Sequence, residues 1–284
     1  METKAYHMTE EEREKLQKVE LEMLIEVDRI CRKHHIEYFL DGGTLLGAVR
    51  HQGFIPWDDD IDTIMLREEY IKFKKACLEE LDQERFFLQD YETDPYYRWG
   101  YAKLRRNNTE FIRLGQEKSK QHSGIFIDIF VVDNVPNHLL FRKLHLRACY
   151  LIRKGLYSEI GKYAEVHQGK RALYKILSII PRDTLFKFRN KIANKCNKHR
   201  TELISHYTLE YPKRCLYGLP RSCFDEKIEL EFEGHKFYAF KNYDLYLSRY
   251  YGDYMKLPPE EERISHLKIS KLKLIEPKLE VRRL

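Results

Sequence analysis

Apolar residues recur every three or four positions from Leu16 to Cys31. Leu16, Val19, Met23, Val27 and Ile30 form one stripe, with Leu24 and Cys31 beside it. Just before the stripe, Thr9-Glu10-Glu11-Glu12 is a capping box. The pattern therefore predicts a helix to about Lys33, packed on a sheet as scaffold. At Ile36 to Leu40 the helical period disappears, and a short apolar, aromatic run predicts a buried strand. Gly42-Gly43-Thr44 breaks that strand, and Thr44 is placed to cap a helix over Leu45 to Arg50. An extended segment through Asp60 and Asp62 follows, then an amphipathic helix over Glu68 to Leu81. Phe86 to Gln89 predicts a short strand, with Arg98 to Leu104 as its partner. Arg105-Arg106-Asn107-Asn108 reads as a turn before another strand over Thr109 to Leu114. Gly124 to Val132 is apolar at nearly every position, which predicts a central strand covered on both faces.

The pattern turns helical from His138 to Tyr207, with breaks near Gly161 to Gly169 and at Pro181. Phe224 to Phe240 alternates around Glu233-Gly234, as a hairpin does, and would extend the sheet or cover a site. Tyr243 to Tyr254 predicts an aromatic helix closed by Pro258-Pro259. From Lys268 onward, Lys and Arg interleave with Leu and Ile, which reads as a flexible basic tail. The expected class is α+β: a mixed sheet flanked by helices, with a helical insertion. Residues 1–137 form the core, 138–207 the helical subdomain, and 208–284 a return to the core.

Composition narrows the function classes. The 284 residues include 20 Tyr and 15 Phe, which argues against disorder although 34% are charged. No apolar run approaches the roughly 20 residues of a membrane span. Met1 to Glu14 is charged and lacks the apolar centre of a signal peptide, so a cytoplasmic location is expected, peripheral on the inner membrane face at most. None of the cysteines at 31, 77, 149, 196, 215 and 223 forms a C-x-x-C pair, so neither zinc nor a disulfide framework is expected. Cys31 and Cys77 lie on apolar helix faces, as small core residues do. Net charge is +6 but unevenly spread: His138 to Arg200 holds 16 Lys and Arg against Glu159, Glu165 and Asp183. Either this is a solvated basic face, or it docks on anionic lipid or a polyanionic acceptor. No helix-turn-helix, zinc or RNA-binding signature is present, so nucleic acid is not an expected partner.

The chemistry concentrates in Trp57-Asp58-Asp59-Asp60-Ile61-Asp62. Four carboxylates in five residues repel unless a hard divalent cation gathers their oxygens. Residues two apart in an extended strand point to the same side, so Asp60 and Asp62 share a face. The glycines just upstream let backbone amides approach a ligand, and a helix N-terminus there favours an anion. Together these features suggest metal-assisted phosphoryl transfer. Asp128 is the lone charge in the strand from Gly124 and needs a cationic partner. It is the third candidate ligand; a carboxylate bonded to a turn or to Arg is the alternative. Asp133 reads as a turn or capping residue.

The run DGGTLLGAVRHQGFIPWDDDID resembles the signature of the LicD/fukutin family, within the nucleotidyltransferase superfamily. Lys103 to Thr109, Gly124 to Pro136 and Tyr250 to Pro259 resemble it too, so the likeness spans most of the chain. The gap from Thr44 to Asp60 is slightly longer than the superfamily's usual one. The resemblance implies a nucleotidyltransferase-like sheet. It implies a nucleotide-activated donor with its diphosphate over Gly42, Gly43 and Thr44, and Mg²⁺ or Mn²⁺ on Asp60 and Asp62. Asp128 would complete the metal site or accept a proton. Lys103, Arg105 and Arg50 are candidate phosphate clamps, with a solvated surface role as the alternative for each. Trp57 would stack on a base or cover the loop. The implied reaction moves a phospho-alcohol from a CDP-activated donor, such as CDP-choline, to a hydroxyl of a surface glycan or lipid-linked sugar. A nucleotidyltransferase acting on a small molecule and a non-catalytic nucleotide-binding protein remain as alternatives.

Overall fold

The computed structural model describes residues 5–206, 213–265 and 267–278. The start of the charged leader, Tyr207 and the last six residues of the expected basic tail lie outside them.

Thr9 caps helix α1 (Glu10–Lys33) through the Glu12 amide, and Glu12 returns the bond to the Thr9 amide. The predicted stripe is its inner face: Leu16, Val19, Met23, Val27 and Ile30 are fully buried. Strand β1 (Phe39–Leu40) is shorter than the apolar run suggests, because only these two residues pair with a neighbour. Helix α2 (Gly42–His51) then begins at the first glycine, with Asp41 as N-cap. Thr44 is thus no cap. Its hydroxyl accepts the Asp62 amide at 2.8 Å, tying the helix to the next strand.

That strand is β2 (Asp62–Leu66), and it leads directly into α3 (Arg67–Glu80). Strands β3 (Phe86–Gln89), β4 (Ala102–Arg106) and β5 (Glu110–Arg113) follow. Arg105 and Arg106 lie within β4, so the turn narrows to Asn107-Asn108, where Asn108 has a positive φ of 63°. Strand β6 (Phe126–Val135) is buried at every position. Asp133 sits inside it rather than in a turn. Its carboxylate accepts from the Arg67 guanidinium and from Asn197 Nδ2, which joins β6 to two helices.

Three basic helices come next: α4 (Leu139–Ala164), α5 (Gln168–Leu177) and α6 (Arg182–Cys196). The chain then rejoins the sheet as β7 (Leu203–Ser205) against β6, followed by β8 (Leu219–Pro220). The predicted hairpin is β9 (Lys227–Phe232) with β10 (His235–Phe240). It forms its own two-stranded sheet and packs Phe240 on Phe39 of β1, with ring centroids 4.5 Å apart. Helix α7 (Tyr243–Tyr251) follows. Part of the expected flexible tail is instead β11 (Ile269–Lys273), antiparallel to β5.

The main sheet runs β1-β2-β6-β4-β3, with β7 and β8 continuing from the far end of β6. Among the described strands, only β2 and β6 are parallel; the other pairs are antiparallel. The molecule is therefore a mixed sheet flanked by helices. One large core joins α1, the sheet, the hairpin, α7 and β11, and includes Cys31 and Cys77. A small separate cluster lies under α4 and α6, at Ile152, Leu156, Leu185 and Phe186. Among the described residues, no helix is long and apolar enough to cross a membrane.

Candidate active site

The parallel pairing of β2 and β6 places Asp62 directly opposite Asp128. The Asp128 amide donates to Ile61 O at 2.8 Å, and the Thr63 hydroxyl donates to Asp128 O at 3.0 Å, so the register is firmly held. The glycine bend meets these acids directly. A Cβ on Gly42 would lie 3.1 Å from Asp62 Oδ2, and one on Gly43 would lie 2.5 Å from Asp58 Oδ2. Only glycine leaves room for the Asp58 carboxylate against the start of α2, where the helix dipole favours negative charge.

Asp60 precedes β2 instead of lying within it, because the chain bends to gather three consecutive acids. Asp58, Asp59 and Asp60 bring carboxylate oxygens within 4.8 Å of one another. This is a different trio from the expected Asp60, Asp62 and Asp128; the latter two stand beside it. The Asp59 carboxylate also accepts the Ser265 hydroxyl. Two further acids were missed in the sequence. Asp41 is buried and accepts the Tyr246 hydroxyl from α7. Glu20, on α1, is 2% exposed, and its Oε2 has no hydrogen-bond partner among the described residues. It occupies the inner stripe of α1, between Leu16 and Met23, and a charge on an apolar face was the available signal.

Acids crowded in so little water bind protons more tightly than free carboxyls do. Burial, then the charges of Asp60 and Asp59, pushes Asp58 up to about 8. Burial raises Asp60 and Asp62, with Asp128 adding to both. Asp41 rises to about 6 through burial, partly offset by Tyr246 and the Gly42 amide. Glu20 is pushed well up by burial and then by Asp60, Asp59 and Asp58, which places it in the same field.

The candidate cations are placed differently from one another. Lys103 pairs with Asp128 across β4 and β6, and its ammonium binds that carboxylate. Burial drives Lys103 well below its usual range while Asp128 pulls the other way. Arg105 is buried and donates to Gln89 Oε1 at 2.7 Å and Gly124 O at 2.6 Å, so it ties β4 to its surroundings. Arg50, in the last turn of α2, donates to Tyr254 O at 2.9 Å. The Trp57 ring carries the Arg263 guanidinium 5.7 Å from its centroid. Arg113, which the sequence did not single out, is a further cation acting on Asp60 and Asp128.

An all-carboxylate oxygen set with an unpartnered buried oxygen in its field fits a hard divalent cation, and fits zinc or copper poorly. Chemically, the arrangement can gather positive charge beside a helix N-terminus suited to phosphate.

Comparison with known proteins bears on this geometry. Residues 35–148 match the family described as LicD/FKTN/FKRP, nucleotidyltransferase domain. That segment contains the glycine bend, all the clustered aspartates, Lys103, Arg105 and Asp128. The chain is 32% identical over 257 residues to the lipopolysaccharide cholinephosphotransferase LicD of Haemophilus influenzae, covering 84% of this chain and 89% of that one. It is also 28% identical over 120 residues to an uncharacterised protein of Rickettsia prowazekii, covering 42% of this chain and 41% of that one.

Proposed function

This chain belongs to the LicD/fukutin family, and from that premise we propose that it transfers phosphocholine, or a similar phospho-alcohol, from a CDP-activated donor to a sugar hydroxyl. The acceptor is a lipopolysaccharide-like glycan or a lipid-linked sugar. The observation that carries the reading is the contact between the glycine bend and the acids: Gly42 against Asp62, and Gly43 against Asp58, with Asp128 opposite Asp62. In this nucleotidyltransferase-type arrangement the α2 amides orient the donor's diphosphate. Asp58, Asp59 and Asp60, with Asp62 beside them, would hold Mg²⁺ or Mn²⁺, which when bound offsets charge on the phosphoryl oxygens. Asp128 orients the attacking hydroxyl or takes its proton, and Lys103 holds the Asp128 carboxylate in place through their ion pair. Arg105 keeps β4 in place. Arg50 and Trp57 border the donor side from α2 and the loop after it.

Residues 1–137 act as the catalytic core and 208–284 complete it. The helices between them present a docking face to an anionic membrane at the cytoplasmic side. On α4, Leu140, Leu144 and Leu151 are more than half exposed and share a helical face with Lys143 and Arg147. On α5, Leu173 and Ile176 are exposed as well. Apolar side chains among cations suit the interface of a bilayer carrying negative headgroups.

The test is product release. Purified protein is incubated with CDP-choline, CTP or ATP together with a lipopolysaccharide acceptor, with and without Mg²⁺, and CMP and pyrophosphate are measured. Metal-dependent CMP release from CDP-choline with no pyrophosphate supports the reading. Pyrophosphate from CTP or ATP makes the protein a nucleotidyltransferase, and no release of either product makes it a binding protein.

A further inference from the structure

A cavity of about 300 Å³ lies between α4, the segment leading into β4 and the end of β5. Its walls carry four cations: Arg98 before β4, Arg113 at the end of β5, and Arg153 and Lys154 on α4. Trp99, Tyr101 and Tyr157 supply flat apolar surface between them. Asp60 and Asp128 act on Arg113 from the acid cluster, and Arg98 is met more loosely. Glu159 reaches Arg98 Nη2 at only 3.8 Å. Arg98 Nη1 and Arg113 Nε are buried and have no hydrogen-bond partner among the described residues. Buried guanidinium nitrogens left unpaired are costly, and a planar fork of donors matches phosphate or carboxylate oxygens.

Position in the sheet separates this cavity from the donor end. The glycine bend lies on the β1–β2 side of the acids, at the start of α2. Tyr101 and Arg113 reach the acids from the opposite side, by way of β4 and β5, and Arg113 lies in the field of both Asp60 and Asp128. The carboxylates thus stand between two anion-attracting regions. Displacement at phosphorus places the attacking and leaving oxygens on opposite sides, so a donor at one region leaves the other for the acceptor.

We propose that this cavity binds the acceptor through a negatively charged sugar: phosphate or carboxylate oxygens on Arg98, Arg113, Arg153 and Lys154, with the sugar ring against Trp99. The size suits one or two sugar rings. This proposal rests on the transferase reading for its assignment to the acceptor, but its test does not use turnover.

The chain has two tryptophans, so Trp57→Phe leaves Trp99 as the single fluorescent reporter. This variant is titrated with glucose 6-phosphate, glucose and CMP. The expected result is a saturable change with glucose 6-phosphate and none with glucose. Arg98→Gln and, separately, Lys154→Gln should weaken it at least tenfold without lowering the melting temperature by more than a few degrees. If Arg98→Gln unfolds, Lys154→Gln, on the half-buried face of α4, decides alone. No saturable change, a change untouched by these substitutions, or a response to CMP but not to the sugar phosphate would overturn the proposal. Any of these could occur while CMP release from CDP-choline remains intact, so the two readings fail separately.

Discussion

Asp60→Asn should make the protein inactive and, without metal, more stable. The structure supplies the magnitude. Asp58 stays protonated to about pH 8, whereas an unfolded aspartate ionises near 3.8. Holding that proton at pH 7 costs about 4 kcal/mol, at roughly 1.4 kcal/mol for each tenfold in the equilibrium. Burial is the largest cause and Asp60 the next. Removing the Asp60 charge therefore recovers only a part, about 1 to 2 kcal/mol. That corresponds to a rise of roughly 2 to 6 °C for a chain of this size. The direct Coulomb figure agrees in order: two carboxylates within 4.8 Å repel by about 3 kcal/mol at an effective dielectric near 20, before water screens them. The sign with pH follows. Because the folded value lies above the unfolded one, the contribution of Asp58 is fully present below about pH 4 and is lost as pH rises towards 8. Metal-free wild-type protein should accordingly lose stability across that window, and Asp60→Asn should flatten the slope. Turnover should fall at least a hundredfold, since losing a charged ligand removes about 3 kcal/mol or more of transition-state stabilisation. Melting by scanning fluorimetry in chelator from pH 4 to 8, beside CMP release in Mg²⁺, reads both effects. A variant that keeps more than a tenth of activity, or melts several degrees lower with an unchanged slope, would refute the reasoning.

Gly43→Ala should lower activity at least tenfold while costing about 1 to 3 kcal/mol of stability, because the new methyl meets Asp58 Oδ2 at 2.5 Å; activity and melting of the purified variant check this. On the acid side, burial depresses His206 to about 3, so its contribution is present above pH 6.5 and lost as pH falls. By pH 5 that amounts to about 2 kcal/mol, and denaturant melts of His206→Phe should show a shallower acid limb. Flotation with vesicles containing anionic lipid should carry wild-type protein in a salt-sensitive way, and Leu144→Glu with Leu151→Glu should abolish it; salt-insensitive flotation or none returns the basic helices to a plain solvated face.

Local periodicity made most elements legible. Helix α1, the β9–β10 hairpin and β6 each follow from a repeat of 3.6 or 2, or from an unbroken apolar run, within one stretch of chain. Partners distant in sequence left no such mark. The segment over Ile269 to Lys273 alternates Lys with apolar residues and reads as a tail until β5, more than 150 positions earlier, is seen beside it. Lys103 was found by likeness and expected to hold phosphate. Only the β4–β6 register shows that its ammonium already faces Asp128. The candidate site divides in the same way. Its glycines and aspartates are contiguous, so their meeting was foreseeable from a strand, a bend and a short helix. Glu20 and Arg113 join it from other elements, and their contribution exists only in three dimensions.

That division explains why the acidic cluster does not unfold the protein. Asp58, Asp59 and Asp60 are adjacent in the chain, so a water-screened part of their repulsion is already present in the unfolded state, and folding adds their burial and the loss of that screening. What folding adds newly is Glu20 from α1 and Asp128 from β6, each carried in by an apolar surface that buries around it. Leu16, Val19 and Met23 flank Glu20, while Ile127 and Ile129 flank Asp128, all fully buried. At about 1.5 to 3 kcal/mol for each such side chain, their burial exceeds the cost of bringing one more carboxyl into the field, provided that carboxyl keeps a proton or meets a cation. Lys103 does this for Asp128. Glu20 has no such partner among the described residues, so its proton, or an ion shared with Asp58 to Asp60, is what completes the fold at this point.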